Sequence, residues 1–226
     1  PFFPKDQLTD KPARFFVTEI IGTVAFAITG VITAIEKKFD ILGAIVLGTV
    51  TAVGGGILRD IILGQLPPLA FSNSVYALTA ILTSVAVFVL AYFTGKKIVR
   101  HFEIYSQVIN FFDSLGLAVF VVTGINTARE CGFGDNAFLS VFVAVLTGVG
   151  GGVLRDILAG RVPKILRKRV YALAAILGAL IYYYLLRFGI FSETVSTLIG
   201  AGSVLVIRIL ATVFRWNLPS INNIEE

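Results

Sequence analysis

The sequence contains one cysteine, Cys131, one histidine, His101, and no methionine. Neither a disulfide framework nor a Cys/His metal site can be assembled within one protomer, so redox and zinc chemistry are excluded and no cofactor is expected. Charge is scarce too: 15% of the 226 residues are charged and 56% are hydrophobic, whereas about a quarter of an ordinary soluble domain is charged. The net charge of +5 is spread over short loops rather than along one face, which argues against nucleic acid as a partner. No nucleophile stands at a recognisable spacing from a paired base, so an enzyme is not expected. The first apolar segment lacks a small-residue cleavage pattern, and a removable signal peptide is not expected either.

What the chain does have is long apolar runs. A helix needs roughly 20 predominantly apolar residues to cross a bilayer, and residues 15–34, 41–63, 75–93, 108–128, 137–159, 170–186 and 194–214 all qualify. The fold class expected is an all-α membrane protein. Lys37, Lys38, Lys96, Lys97, Arg100 and the run from Arg161 to Arg169 fall on one side. The positive-inside rule assigns that side to the cytoplasm of a prokaryotic inner membrane, with the N-terminus outside and the C-terminus inside. The run itself suits anionic lipid headgroups, and Tyr182, Tyr183, Tyr184 and Trp216 read as interfacial belts.

The chain also repeats itself. Gly54-Gly55-Gly56-Ile57-Leu58-Arg59-Asp60-Ile61 returns as Gly150-Gly151-Gly152-Val153-Leu154-Arg155-Asp156-Ile157. Gly64 and Pro67 pair with Gly160 and Pro163, Tyr76 with Tyr171, Thr29-Gly30 with Thr123-Gly124, and Glu19 with Asp113. The second copy carries two extra residues between Gly124 and Gly150 and lacks one before Tyr171. Three spans per copy force the second to enter from the opposite side, an inverted repeat. The expected units are residues 15–94, residues 108–187 and an unpaired seventh helix at 194–215, whose small residues suit close packing.

Three consecutive glycines in an apolar span each cost about 1 kcal/mol relative to alanine in a helix. They predict a break in the backbone, tolerable in a membrane only beside protein or a water-filled cavity, and hence a polar path near mid-membrane. Close helix crossing is the plainer use of such glycines. Arg59-Asp60 and Arg155-Asp156 follow about one turn later, and helical neighbours point in different directions. Pairing across the repeats, Arg59 with Asp156 or Asp60 with Arg155, is therefore expected over pairing with the neighbour, and snorkelling to the interface is the alternative. Glu19 and Asp113, ionisable groups in apolar segments, are candidates for attracting cations or for holding the glycine-rich helices. Thr51 and Thr147, with Thr18, Thr23, Thr29, Thr49 and Thr123, offer hydroxyls to a hydrated path, although such groups commonly bond their own helix carbonyls.

The doubled Gly-Gly-Gly-x-Leu-Arg-Asp motif in a three-plus-three-plus-one arrangement resembles the prokaryotic trimeric intracellular cation (TRIC) channel family. It also looks like a bacterial membrane family labelled glycine transporter. The first resemblance implies a homotrimer in which each protomer has its own pore, lined by glycine-kinked second and fifth spans and passing potassium or sodium, with membrane lipid bound. Kinks then fall on Gly54, Gly55, Gly56, Gly150, Gly151 and Gly152. The second, together with the inverted repeat, implies a secondary transporter for a small zwitterion such as glycine. A non-conducting scaffold, or an intramembrane enzyme using Glu19 or Asp113 as a base, is a third reading.

Overall fold

The computed structural model describes residues 13–94, 102–167 and 170–214, with side chains over 16–94, 107–166 and 171–214. His101, Trp216, the loop lysines Lys96 and Lys97, and Lys168 and Arg169 of the basic run lie outside the described residues. Among the described residues all regular structure is helical: α1 Ala13–Glu36, α2 Ile41–Ile62, α3 Leu69–Ser72, α4 Ser74–Thr94, α5 Phe102–Ala128, α6 Ala137–Leu158, α7 Lys164–Arg167, α8 Val170–Phe188 and α9 Glu193–Val213. Seven of these are long and apolar enough to span a membrane, and they are the seven that the sequence marks. The short α3 and α7 had no hydropathy signal.

Local chemistry fixes the ends in repeat-related pairs. The Asp40 carboxylate accepts the Gly43 amide at 2.7 Å, and Asn136 accepts that of Leu139 at 3.0 Å, each opening the second helix of its half. Both helices close on a left-handed glycine, Gly64 at φ 72° and Gly160 at φ 65°. The next amides, Gln65 and Arg161, return to the carbonyls of Asp60 and Asp156 at 2.8 Å in each case, so the last turn is satisfied without water.

Each half is a three-helix unit, α1–α2–α4 and α5–α6–α8, and the halves meet along α2 against α6 and α1 against α5. Two equivalent pairs mark the pseudo-two-fold axis. Phe26 and Phe120 touch each other with ring centroids 5.2 Å apart, and Gly55 lies against Gly151. Space for the phenyl rings comes from Gly116, where a Cβ would stand 2.3 Å from the Phe26 ring, and from Gly22, where it would stand 3.0 Å from Phe120. Since lipid is as apolar as leucine, close backbone approach and polar contacts must hold such helices together. The unpaired α9 packs on α8 and α5, with Gly200 against the Tyr182 ring and Gly178 against Val204.

The tyrosine triplet departs from the belt expected of it. Tyr182 and Tyr183 are fully buried and only Tyr184 is exposed. Tyr182 donates to Asn126 Oδ1 at 2.7 Å and Tyr183 to the Gly134 carbonyl at 2.9 Å. Consecutive helical residues cannot all face lipid, and α9 covers the side on which Tyr182 lies.

Candidate functional site

The glycine triplets lie where α2 crosses α6, and the expected break in the backbone is not found there. Both helices run continuously through their triplets, over Ile41–Ile62 and Ala137–Leu158. The glycines serve instead to bring two backbones into contact. A Cβ on Gly55 would stand 2.2 Å from the Thr147 carbonyl oxygen, and one on Gly151 would stand 2.1 Å from that of Thr51. Gly54 faces Leu154 and Gly150 faces Gly55. The Thr51 and Thr147 hydroxyls each donate to a carbonyl of their own helix, Leu47 and Val143, at 2.6 Å, as do Thr23, Thr29 and Thr123.

Gly56 and Gly152, third in each triplet, behave differently. Around Gly56 nothing lies nearer to a hypothetical Cβ than the Arg59 guanidinium at 3.8 Å, and around Gly152 nothing nearer than Arg155 and Tyr171 at 3.6 Å. These two glycines open onto the buried charges.

Those charges form two repeat-related clusters. In the first, Arg59 Nε donates to Asp60 Oδ1 at 2.7 Å, its Nη1 lies 3.8 Å from Glu19, and the Tyr76 hydroxyl donates to Glu19 Oε2. In the second, Arg155 bonds Asp156 Oδ1 at 3.0 Å and Asp113 Oδ1 at 2.9 Å, and Tyr171 stands beside Asp113. The expected latch of Arg59 to Asp156, or of Asp60 to Arg155, is thus corrected: each arginine pairs with its own neighbour and with the acid of the first helix in its own half. The side chain is long enough for Nε to fold back onto the adjacent carboxylate while the terminal nitrogens reach on. One contact does cross the halves, from Arg155 Nη1 to Thr29 Oγ1 at 3.0 Å. All six ionised groups are at least 96% buried. An unpaired charge at the bilayer centre costs at least about 2.5–3.5 kcal/mol, so these networks are what make them tenable.

Asp60 and Asp156 have a second task. Their other oxygens accept the backbone amides of Leu69 at 2.8 Å and Lys164 at 2.9 Å, capping α3 and α7. This sets the repeat register in the loop: Pro68, not Pro67, is the equivalent of Pro163, so the residue missing from the second copy lies between Gly160 and Pro163.

The two clusters differ in charge. Arg208 of α9 places Nη2 3.8 Å from Asp113 Oδ2 and its guanidinium carbon 4.2 Å from the centre of the Tyr171 ring. Lys164 reaches Asn110 Oδ1 at 3.4 Å. Burial, the largest cause, pulls the Lys164 ammonium down to about 8; Asp113 and Asp156 oppose this, and Arg155 and Arg208 reinforce it. The second cluster therefore joins three cationic groups to two acids, while the first joins one to two and borders a cavity of about 40 Å³ against Gly56. Sequence reasoning missed Arg208, although an arginine inside an apolar span is itself a signal; the seventh helix has no repeat partner to draw attention to it. Of the basic run, Arg161 is committed to an ion pair with Glu36 at 2.7 Å across the halves.

This geometry can be set beside known proteins. The family model described as "Glycine transporter" matches residues 16–92 and again 110–187, one match for each three-helix unit. The UPF0126 inner membrane protein YadS of Escherichia coli K12 is 37% identical over 203 residues, covering 88% of this chain and 91% of that one. Among solved structures, a TRIC cation channel studied for its conductance is 37% identical with a TM-score of 0.78, covering 91% of this chain and 96% of its own. A TRIC trimeric intracellular cation channel orthologue from Rhodobacter sphaeroides is 30% identical with a TM-score of 0.81, covering 91% and 100%. Matched in both halves by one model and along most of its length by these relatives, the chain belongs to the glycine transporter family of multi-pass membrane proteins, alongside the UPF0126 proteins and with the fold of the prokaryotic TRIC channels.

Proposed function

We propose that the protein is a channel for monovalent cations, potassium or sodium, with one conduction path in each protomer of a homotrimer. The similarity to solved cation channels at 30–37% identity over 91% of the chain is the observation that carries this reading. In it, α2 and α6 line the path with Gly54, Gly55, Gly56, Gly150, Gly151, Gly152, Thr51 and Thr147. The crossing at Gly55 and Gly151 leaves no room between the backbones, so passage requires the two helices to part or bend there. Glu19, held with Arg59 and Asp60 where acids outnumber the cation, favours positive ions at one end of the path, and Asp113, held with Arg155 and Asp156, holds the glycine-rich helix at the other. The loop charges place the N-terminus outside and the C-terminus in the cytoplasm of a bacterial inner membrane, with lipid bound around the trimer.

A second reading, secondary transport of a small zwitterion, is favoured by the inverted repeat itself. Recording from purified protein in planar bilayers under a potassium gradient separates the two. Discrete current steps reversing at the potassium equilibrium potential, reduced by Gly56→Ala with Gly152→Ala, establish the channel. Silence together with saturable zwitterion uptake into vesicles establishes the transporter. The third glycines suit this test because a Cβ there meets only ordinary contacts, whereas one at Gly55 or Gly151 strains the fold.

A further inference from the structure

Arg208 is held more loosely than a buried charge ordinarily is. It lies five residues before the end of α9 at Val213 and is 5% exposed. Its Nη2 is 3.8 Å from Asp113 Oδ2, its guanidinium covers the Tyr171 ring, and its Nε has no hydrogen-bond partner among the described residues. The nearer bonds to the acids already belong to Arg155, at 2.9 Å from Asp113 and 3.0 Å from Asp156. An arginine within an apolar span is costly and marks a functional position by default, and such long contacts offset little of that cost.

The repeat does not require it either. α9 has no counterpart in the first half, and the counterpart of Lys164 is the apolar Leu69, whose amide Asp60 accepts just as Asp156 accepts that of Lys164. Both added cationic groups converge on Asp113. Below the pH of about 8 at which the Lys164 ammonium titrates, Arg155, Arg208 and Lys164 face only Asp113 and Asp156, a surplus of one positive charge. That surplus lies at the end of α6, which closes at Leu158, and beside Gly152, where a Cβ would stand 3.7 Å from Asp113 Oδ1. Because the halves are inverted, this is the opposite end of the bundle from Arg59 and Asp60 at the end of α2.

We propose that Arg208 sets an electrostatic barrier to cations at the second-half end of the conduction path, so that cations pass more readily toward that end than away from it. The inference rests on the conduction reading and names the residue that shapes its current. A cation arriving from the first-half end has crossed most of the voltage drop before it meets the surplus charge, so the voltage lowers its barrier. One travelling the other way meets the charge with little of the drop behind it. In the orientation proposed above, the inward current is the larger.

Single-channel currents in planar bilayers with equal potassium on both sides test it. The wild-type protein is expected to rectify, by about twofold or more between equal and opposite voltages. Arg208→Gln is expected to raise the smaller current roughly threefold or more and to straighten the curve, while Arg208→Lys, which keeps the charge, rectifies as the wild type does. Lys164→Met removes the other added charge from a short helix outside the spans and also straightens the curve, which decides the matter should Arg208→Gln fail to fold. The inference alone is overturned if the wild type conducts without rectifying, or if folded Arg208→Gln or Lys164→Met rectifies as the wild type does. It is overturned equally if Arg208→Lys loses the rectification, the mark of a purely structural role. Absence of any potassium current overturns the conduction reading and the inference with it.

Discussion

Adding a single methyl group to the second glycine of either triplet should loosen the whole bundle, while adding it to the third should not. At Gly151 the new Cβ would stand 2.1 Å from the Thr51 carbonyl oxygen and at Gly55 2.2 Å from that of Thr147, whereas ordinary contact begins at 3.4 Å. The obstructing atoms are backbone and cannot swing aside, so α2 and α6 must separate by more than an ångström. Overpacking of this kind costs about 1–3 kcal/mol, more than the roughly 1 kcal/mol that alanine gains over glycine in helix propensity. At Gly152 the nearest atoms are 3.6 Å away, and only the propensity gain remains. Thermal unfolding of the detergent-solubilised variants should therefore rank Gly152→Ala at or above the wild type and Gly151→Ala below it. Gly55→Ala with Gly151→Ala should cost less than the sum of the two, because the first separation already makes room for the second methyl. If Gly151→Ala unfolds at the wild-type temperature, or Gly152→Ala is the more damaged of the two, the close crossing is not what the glycines provide.

Arg155→Met should lower stability by about 3 kcal/mol, since it removes the hydrogen-bonded cation shared by the buried Asp113 and Asp156 and leaves Asp113 only the longer contact to Arg208, and chemical denaturation in mixed micelles measures this. Tyr182→Phe removes the donor to Asn126 Oδ1 and should cost about 1–3 kcal/mol in the same assay. Lys164 should confer a pH dependence. Its buried ammonium titrates at about 8, below the ordinary 10.5, so between those values the folded protein holds fewer protons there than the unfolded chain and stability rises with pH. Melting curves across that window should climb more steeply for the wild type than for Lys164→Met, which keeps the backbone amide that Asp156 caps; equal slopes refute the assignment.

The spans, the repeat and its inversion were legible in the sequence because each is a one-dimensional property. A bilayer demands a fixed length of apolar residues, self-similarity is counted along the chain, and an odd number of spans inverts the second copy. The equivalence of Glu19 and Asp113 follows from the same counting, and the structure gives each the arginine of its own half. Tertiary structure decided whatever depends on direction and reach. The backbone stays helical through Gly54–Gly56 and Gly150–Gly152 because the partner helix occupies the space that the missing side chains leave. Arg59 and Arg155 fold back onto their neighbours because Nε lies near enough to the chain to do so. Tyr182 is buried because α9, which has no counterpart in the repeat, covers its side of α8, and Tyr183 is held by the Gly134 carbonyl of the preceding turn. Arg208 joins the second cluster for the same reason: hydropathy records that a helix crosses the membrane, and only packing records what an arginine inside it meets.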